Sequence, residues 1–369
     1  MSLYRLIFFC VCAYFFCVEN GIKTMTGISP DKIQKNKKRF SFRFAKKQNE
    51  KTQKTDKTDF SKIIACTSLI AFMAFMLVKP DYYLSAARKG LSLFASSVLP
   101  SLFPFYFCSL MLTYMGAVKG ISKLGAKPVK LLYNTPKESA YALFLSILCG
   151  YPVGASTCEE LYKAGALSQK DVKSVCSFCS TSGPIFMIGT IGGAIFSDTR
   201  VGWIVLASHY LGALLNGLIF RKRKSDSEDV AFALQTDTDA ILAKAISKAT
   251  VNMLYVGGYI VICGMLVDTL ELIGLKDLLS FMPNPDAAAS VIYGAIEMTR
   301  GCLECASCSS LHLACVLCTG AVSFGGLSVT LQNYTFLSRC GVKLADIGLR
   351  KIIQCALSMA IAFLLGFAL

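Results

Sequence analysis

Long apolar runs, set apart by short polar or proline-bearing turns, dominate this chain. Runs at 63–78, 98–118, 172–196, 201–220 and 246–273 approach the roughly 20 residues that carry a helix across a bilayer. The pattern predicts helices throughout and offers no alternation of the kind a half-buried strand needs. Residues 81–97 are amphipathic, with Arg88 and Lys89 on the polar side, which suits a helix lying at the membrane interface. The stretch 141–193 is different. Gly150, Pro152 and Gly154 break its apolar run once, and Ser182, Gly183 and Pro184 break it again. Proline removes a backbone donor and clashes with the preceding turn, so no continuous helix passes either point. In lipid the freed backbone groups need protein or a wet cavity around them. Two such breaks close together predict discontinuous helices lining an internal site.

The first break comes too early for a full crossing and is followed by the polar turn Lys163-Ala164-Gly165, so 139–163 reads as a re-entrant helical hairpin with its tip at Gly150-Tyr151-Pro152. The last third carries a similar series. An apolar arm, 290–318, leads to Ser323-Phe324-Gly325-Gly326-Leu327-Ser328, then to a basic turn with glycine at 339–341 and a final apolar run from Ala345. Setting 150–157 against 323–330 gives two repeats, about 98–220 and 246–369. The predicted fold is an all-α polytopic membrane protein with two inverted repeats, each with a re-entrant hairpin and a following span, the first one broken. Basic segments stay on the cytoplasmic side. Placing 23–62, 119–137 and 221–224 there sends the two hairpins in from opposite faces, but leaves Arg339, Lys343, Arg350 and Lys351 outside, against that rule.

Composition agrees with a bilayer. Of 369 residues, 54% are hydrophobic and 17% charged, against about 25% charged in soluble domains, and the mean hydropathy is +0.54. The net charge of +15 is concentrated: residues 23–62 hold thirteen Lys/Arg and four Asp/Glu. That segment reads as a disordered cytoplasmic arm beside anionic lipid rather than as a nucleic-acid binder. Residues 1–22 read as a signal peptide core, an anchor helix or a dispensable leader, and 63–369 as the transmembrane domain. The 17 cysteines are scattered through apolar segments, which suits small buried side chains in reduced form. Cys302, Cys305, Cys308, Cys315, Cys318 and His312 have spacings seen in metal sites, but steps of three are also one helix face, and no metal is expected. No Walker, GxSxG or HExxH pattern occurs, which argues against an ATP-driven pump or a hydrolase; the chain is read as no enzyme and as needing no cofactor.

Candidate binding residues follow from the breaks. Ser180, Thr181, Ser182 and Gly183 offer hydroxyls and helix-end amides that suit an anion. Gly150, Tyr151, Pro152 and Gly154, with Ser323, Phe324, Gly325, Gly326 and Ser328, form the two predicted tips, where glycine lets backbone approach a ligand. Glu297, Thr299 and Arg300 bring ionisable groups into an apolar stretch, a mark of function in membranes; Glu297 and Arg300 are one helical turn apart and are expected to pair. Gln332 follows the second tip. His209 reads as a packed, hydrogen-bonded histidine.

Phe103-Pro104-Phe105, CGYPVGA at 149–155, TSGPIFMIGTIG at 181–192, SHYLG at 208–212, EMTRG at 297–301 and SFGGLSVTLQ at 323–332 resemble, in order, the YlbJ-type sporulation integral membrane proteins. These group with the nucleoside recognition or gate-domain proteins, which are similar in organisation to concentrative nucleoside transporters. The resemblance covers roughly 63–369. It implies a multi-pass protein of the bacterial cell or forespore membrane that moves a small organic anion, dipicolinate, between mother cell and forespore by alternating access or facilitated diffusion. A nucleoside carrier on the same scaffold and a non-transporting sporulation protein are the alternatives. A coupling ion is compatible with either carrier, and a homo-oligomer with all three. The cysteine-rich 302–318 segment departs from what a hairpin arm in a bilayer leads one to expect.

Overall fold

A computed structural model describes residues 56–222 and 240–369; the predicted leader, almost all of the predicted arm and residues 223–239 lie outside them. The described residues fall into two compact units, one ending at Tyr83 and one of Leu84–Leu369. In the first, α1 (Asp56–Val78) ends just before α2 (Pro80–Leu93) begins, and Phe72 meets Tyr83 edge-to-face at 5.8 Å. The apolar part of α1, Lys62–Val78, is at the short end for a crossing.

All regular structure among the described residues is helical. Helix α2 passes through a π-helical turn at Phe94–Val98 into α3 (Leu99–Tyr114), so the predicted interfacial helix and span are one run, Pro80–Tyr114. Next come α4 (Val118–Tyr133), α5 (Ser139–Cys149), α6 (Val153–Lys163), α7 (Gln169–Val175), the π-helical α8 (Phe186–Ile195) and α9 (Thr199–Ile219). After residues 223–239 come α10 (Ile241–Leu272), α11 (Leu275–Leu278), α12 (Pro285–Ile296), α13 (Met298–Cys305), α14 (Leu311–Phe324), α15 (Gly326–Leu337) and α16 (Leu344–Leu365). Among the described residues, five stretches are long and apolar enough to cross a membrane: Pro80–Tyr114, Thr199–Ile219, Ile241–Leu272, Leu311–Cys340 and Leu344–Leu365.

One order of elements occurs twice. A span (α3; α10) leads to a connecting helix (α4; α11), a short hairpin (α5–α6; α12–α13), a pair of short helices separated by a break (α7 and α8; α14 and α15) and a closing span (α9; α16). This pairing differs from the one read in the sequence. The stretch 323–328 is no hairpin tip. It interrupts the run Leu311–Cys340, and its counterpart is the break before Pro184. The second tip lies at Glu297, between α12 and α13.

Matching spans run antiparallel. Tyr114, ending α3, lies under Lys244 near the start of α10, and Phe94 faces Gly257 farther along it. Arg350, near the start of α16, sits over Phe220 at the end of α9, and Gly212 faces Ser358. The first hairpin opens towards the face where α9 ends. Asn134 donates to the Lys222 carbonyl at 3.1 Å, Lys222 pairs with Asp171 at 2.8 Å and Glu159 of α6 takes both Lys163 and Arg339. The second hairpin opens towards the other face, where Lys276 of α11 pairs with Asp286 and Glu304. Arg339 and Arg350 therefore lie beside Arg221 and Lys222, not opposite them. The conflict with the basic-side rule came from counting 323–330 as a reversal, whereas the chain crosses there. Lys351 drops out of the count because it is buried.

Candidate functional site

Each tip rests on the break of its own half. Gly150 (φ 78°) lies directly on the backbone of Gly183, and Gly326 (φ 66°) lies under the carbonyls of Gly294 and Ile296. A Cβ at either place would meet backbone, and positive φ adds strain to any other residue. Two buried side chains then tie the two breaks together. His209 accepts from the Ser182 N–H at Nε2 (2.9 Å) and meets Ser323 Oγ through Nδ1 (2.8 Å). Because Nε2 accepts, the neutral ring carries its proton on Nδ1 and donates to the serine. Lys351 of α16 donates to Tyr151 Oη (2.6 Å), the Ser180 carbonyl (3.1 Å) and the Ser323 carbonyl (3.3 Å). Around this knot, Thr181 Oγ1 donates to the Ser146 carbonyl at 2.7 Å, Asn333 donates to Ser180 Oγ at 3.2 Å, and Gln354 to the Ser180 carbonyl at 3.3 Å.

Beside the knot is a pocket of about 510 Å³, part of it open space at its mouth. Matching elements line it from both halves: Ser101 and Leu102 of α3 with Val256 and Ile260 of α10; Tyr151 with Glu297, Met298 and Thr299 at the tips; Ser182, Gly183 and Phe186 with Ser328, Val329 and Gln332 at the breaks. Three helix starts point here: the one opening at Pro184, α13 and α15. Unpaired N–H groups and the helix dipole make such ends favourable to negative charge. At α13 that demand is already met, since Glu297 accepts from the Arg300 N–H at 2.8 Å. The start of α15 has no side-chain cap. Its third residue, Ser328, is buried, and its Oγ has no hydrogen-bond partner among the described residues.

Of the seventeen residues singled out from sequence, Tyr151, Ser182, Gly183, Glu297, Thr299, Ser328 and Gln332 line the pocket. Gly150, Pro152, Gly154, Ser180, Thr181, Ser323, Phe324, Gly325 and Gly326 are not in its wall; Ser180, Thr181 and Ser323 belong to the knot behind it. Arg300 is placed otherwise than expected. Its guanidinium pairs with Asp268 (2.9 Å) and Glu271 (2.7 Å) at the end of α10, and it meets Glu297 through its backbone N–H alone. The expected side-chain pair fails because Glu297 is extended (φ −135°, ψ 117°): it caps the helix instead of sitting one turn along it. His209 is the packed, bonded histidine that was expected, and it also joins the breaks. The sequence reading missed Lys351. The signal was there, since Lys351 lies seven residues into α16, roughly 10 Å along the axis, and ionisable residues at such depth are functional candidates. The cysteines at 302, 305, 315 and 318 pack in one apolar cluster with Met187, Ile191 and Val322.

No family model matches the chain, and no solved structure matches it. Among curated proteins it is similar to the "Sporulation integral membrane protein YlbJ" of Bacillus subtilis (strain 168), at 24% identity over 324 residues, 79% of each chain.

Proposed function

From the premise that this chain is a YlbJ-type integral membrane protein, we propose that it is a permease for a small organic solute, working in endospore formation. One observation carries the reading: a single pocket is walled by matching elements of both halves, at the place where two hairpin tips and two helix breaks meet. Broken helices around a central cavity are how many secondary transporters hold a solute. The antiparallel course of α3 with α10 and of α9 with α16 supports an inverted repeat, the arrangement that lets one half rock against the other. The basic face, with Arg221, Lys222, Arg339 and Arg350, is then cytoplasmic.

The solute we favour is a small anion, dipicolinate being the one the resemblance implies. Converging helix starts and the free Ser328 hydroxyl support it. Alternating access would open the pocket first on the side of one hairpin, then on the side of the other. Glu297 favours a second reading. The charged side chain in the pocket wall is a carboxylate, which suits a neutral hydroxyl-rich solute such as a nucleoside. Uptake of labelled dipicolinate and of labelled uridine into liposomes holding the purified full chain separates the two. Dipicolinate uptake resisting excess uridine supports the anion; the reverse supports the nucleoside. Uptake of neither solute above that of empty liposomes overturns both and leaves a non-transporting membrane protein.

A further inference from the structure

Lys351 is 1% exposed, yet among the described residues no carboxylate pairs with it. The titratable groups facing it are Tyr151 from the first tip, His209 from α9, Cys176 after α7 and Cys355 on its own helix. What it has instead is three acceptors for three N–H donors. Two are main-chain carbonyls: Ser180, in the unwound segment between α7 and the helix opening at Pro184, and Ser323, at the close of α14. A carbonyl at a helix end such as that of Ser323 belongs to the negative pole of the helix. In transporters built from broken helices, unwound carbonyls and half-helix C-terminal ends coordinate the coupling cation, while the N-terminal ends face the solute. Here the N-terminal ends border the pocket, and one unwound carbonyl and one half-helix C-terminal carbonyl converge on an ammonium carried by the chain.

We infer that Lys351 is a tethered cation standing where a free coupling ion would otherwise bind, holding both breaks and the Tyr151 tip in register. Solute binding in this protein then needs no Na⁺ or K⁺. The residue acts by positioning: Tyr151, which it holds, is in the pocket wall, and Lys351 is behind it. The idea takes its meaning from the permease reading of the same pocket, but its test does not need transport.

The test is thermal unfolding of the detergent-purified full chain, followed by reaction of its buried thiols with a fluorogenic maleimide. Replacing Na⁺ with choline leaves the wild-type midpoint unchanged. Lys351→Met keeps the stem and removes the charge, and lowers the midpoint. Lys351→Ala removes the volume of one n-propylammonium ion, and millimolar n-propylammonium raises the midpoint of this variant by about 3–5 °C, without effect on the wild type or on Lys351→Met. A wild type stabilised by Na⁺ overturns the inference, as does a Lys351→Met protein as stable as the wild type. So does a Lys351→Ala protein indifferent to the amine. If Lys351→Ala does not fold, Lys351→Met and the Na⁺ exchange still decide. In liposomes, uptake of whichever probe is carried stays the same with choline outside; failure of both probes removes the permease reading and leaves the unfolding result standing.

Discussion

The two hairpin tips hold matching positions and opposite chemistry. The first places Tyr151 at its turn, and that tyrosine reaches across to a lysine of the other half and to the Val322 carbonyl. The second places Glu297 there, and its carboxylate turns back on its own chain to cap α13. The first tip is thus bonded into the knot between the halves. The second is held by its own hairpin and, through Arg300, by the end of α10. A repeat copies the backbone path, because helix lengths and breaks are set by coarse features such as glycine, proline and apolar runs. It does not copy the side chains at the centre. Under the permease reading, a solute in the pocket would meet a tyrosine on a cation from one half and a carboxylate from the other, so its two ends would be bound differently.

The largest effect is expected where tip and break touch, because neither half has room to give. Gly150→Ala drives a Cβ into the backbone of Gly183, and Gly326→Ala drives one to within 2.9 Å of the Gly294 carbonyl oxygen. Left-handed strain of about 1–2 kcal/mol and overpacking of about 1–3 kcal/mol make each substitution cost roughly 3 kcal/mol, read as a lower unfolding midpoint. Equal losses support matched contacts in the two halves. A variant as stable as the wild type would mean that the corresponding tip does not rest on its break.

Arg300 comes next. Asp268 is buried and Arg300 holds it together with Glu271, so Arg300→Ala removes the guanidinium from a buried carboxylate and costs about 2 kcal/mol, less than a fully buried pair because the guanidinium is partly exposed. Adding Asp268→Asn restores part of the loss, which a double-mutant cycle measures. Were Arg300 a solute contact instead, uptake would fall with no change in unfolding.

Glu297 separates capping from charge. Glu297→Ala removes the acceptor of the Arg300 N–H and costs about 1–2 kcal/mol; Glu297→Gln keeps an acceptor and costs about 0.5 kcal/mol. If the carboxylate selects a neutral solute, the Gln variant loses uptake while keeping its stability. If the solute is an anion, the same variant binds it as well as the wild type or better.

How much of this was legible depended on how local each feature is. Spans could be read because 20-residue apolar runs are visible one segment at a time, and the first tip because Gly150-Tyr151-Pro152 carries its own punctuation. The second tip has neither glycine nor proline at Ile296-Glu297-Met298, so nothing in the sequence marked a reversal. Gly325-Gly326 was punctuation of the right kind given the wrong meaning, because glycines suit a break within a crossing as well as a turn between two arms. The choice needed the face on which residues 339–350 lie, which is a property of the assembled helices. Lys351 was obscured by its neighbour: beside Arg350 it reads as one basic step at an interface, and only the start of α16 at Leu344 carries it inward.

Ser328 gives the smallest change in stability and the sharpest division between scaffold and site. Its hydroxyl is buried at the uncapped start of α15 and has no partner among the described residues, a state that ordinarily costs free energy. Removing an unpaired buried hydroxyl is near neutral and can be stabilising by up to about 1 kcal/mol, so Ser328→Ala unfolds at or slightly above the wild-type midpoint. A solute that uses the hydroxyl loses one hydrogen bond, worth about 1 kcal/mol or roughly fivefold in affinity, read as a higher half-saturation concentration in liposome uptake. Stability that rises while affinity falls is the mark of a group kept for a ligand. Stability that rises with affinity untouched would move the solute away from α15 and towards the Glu297 side of the pocket, and the two halves would then divide the work unequally.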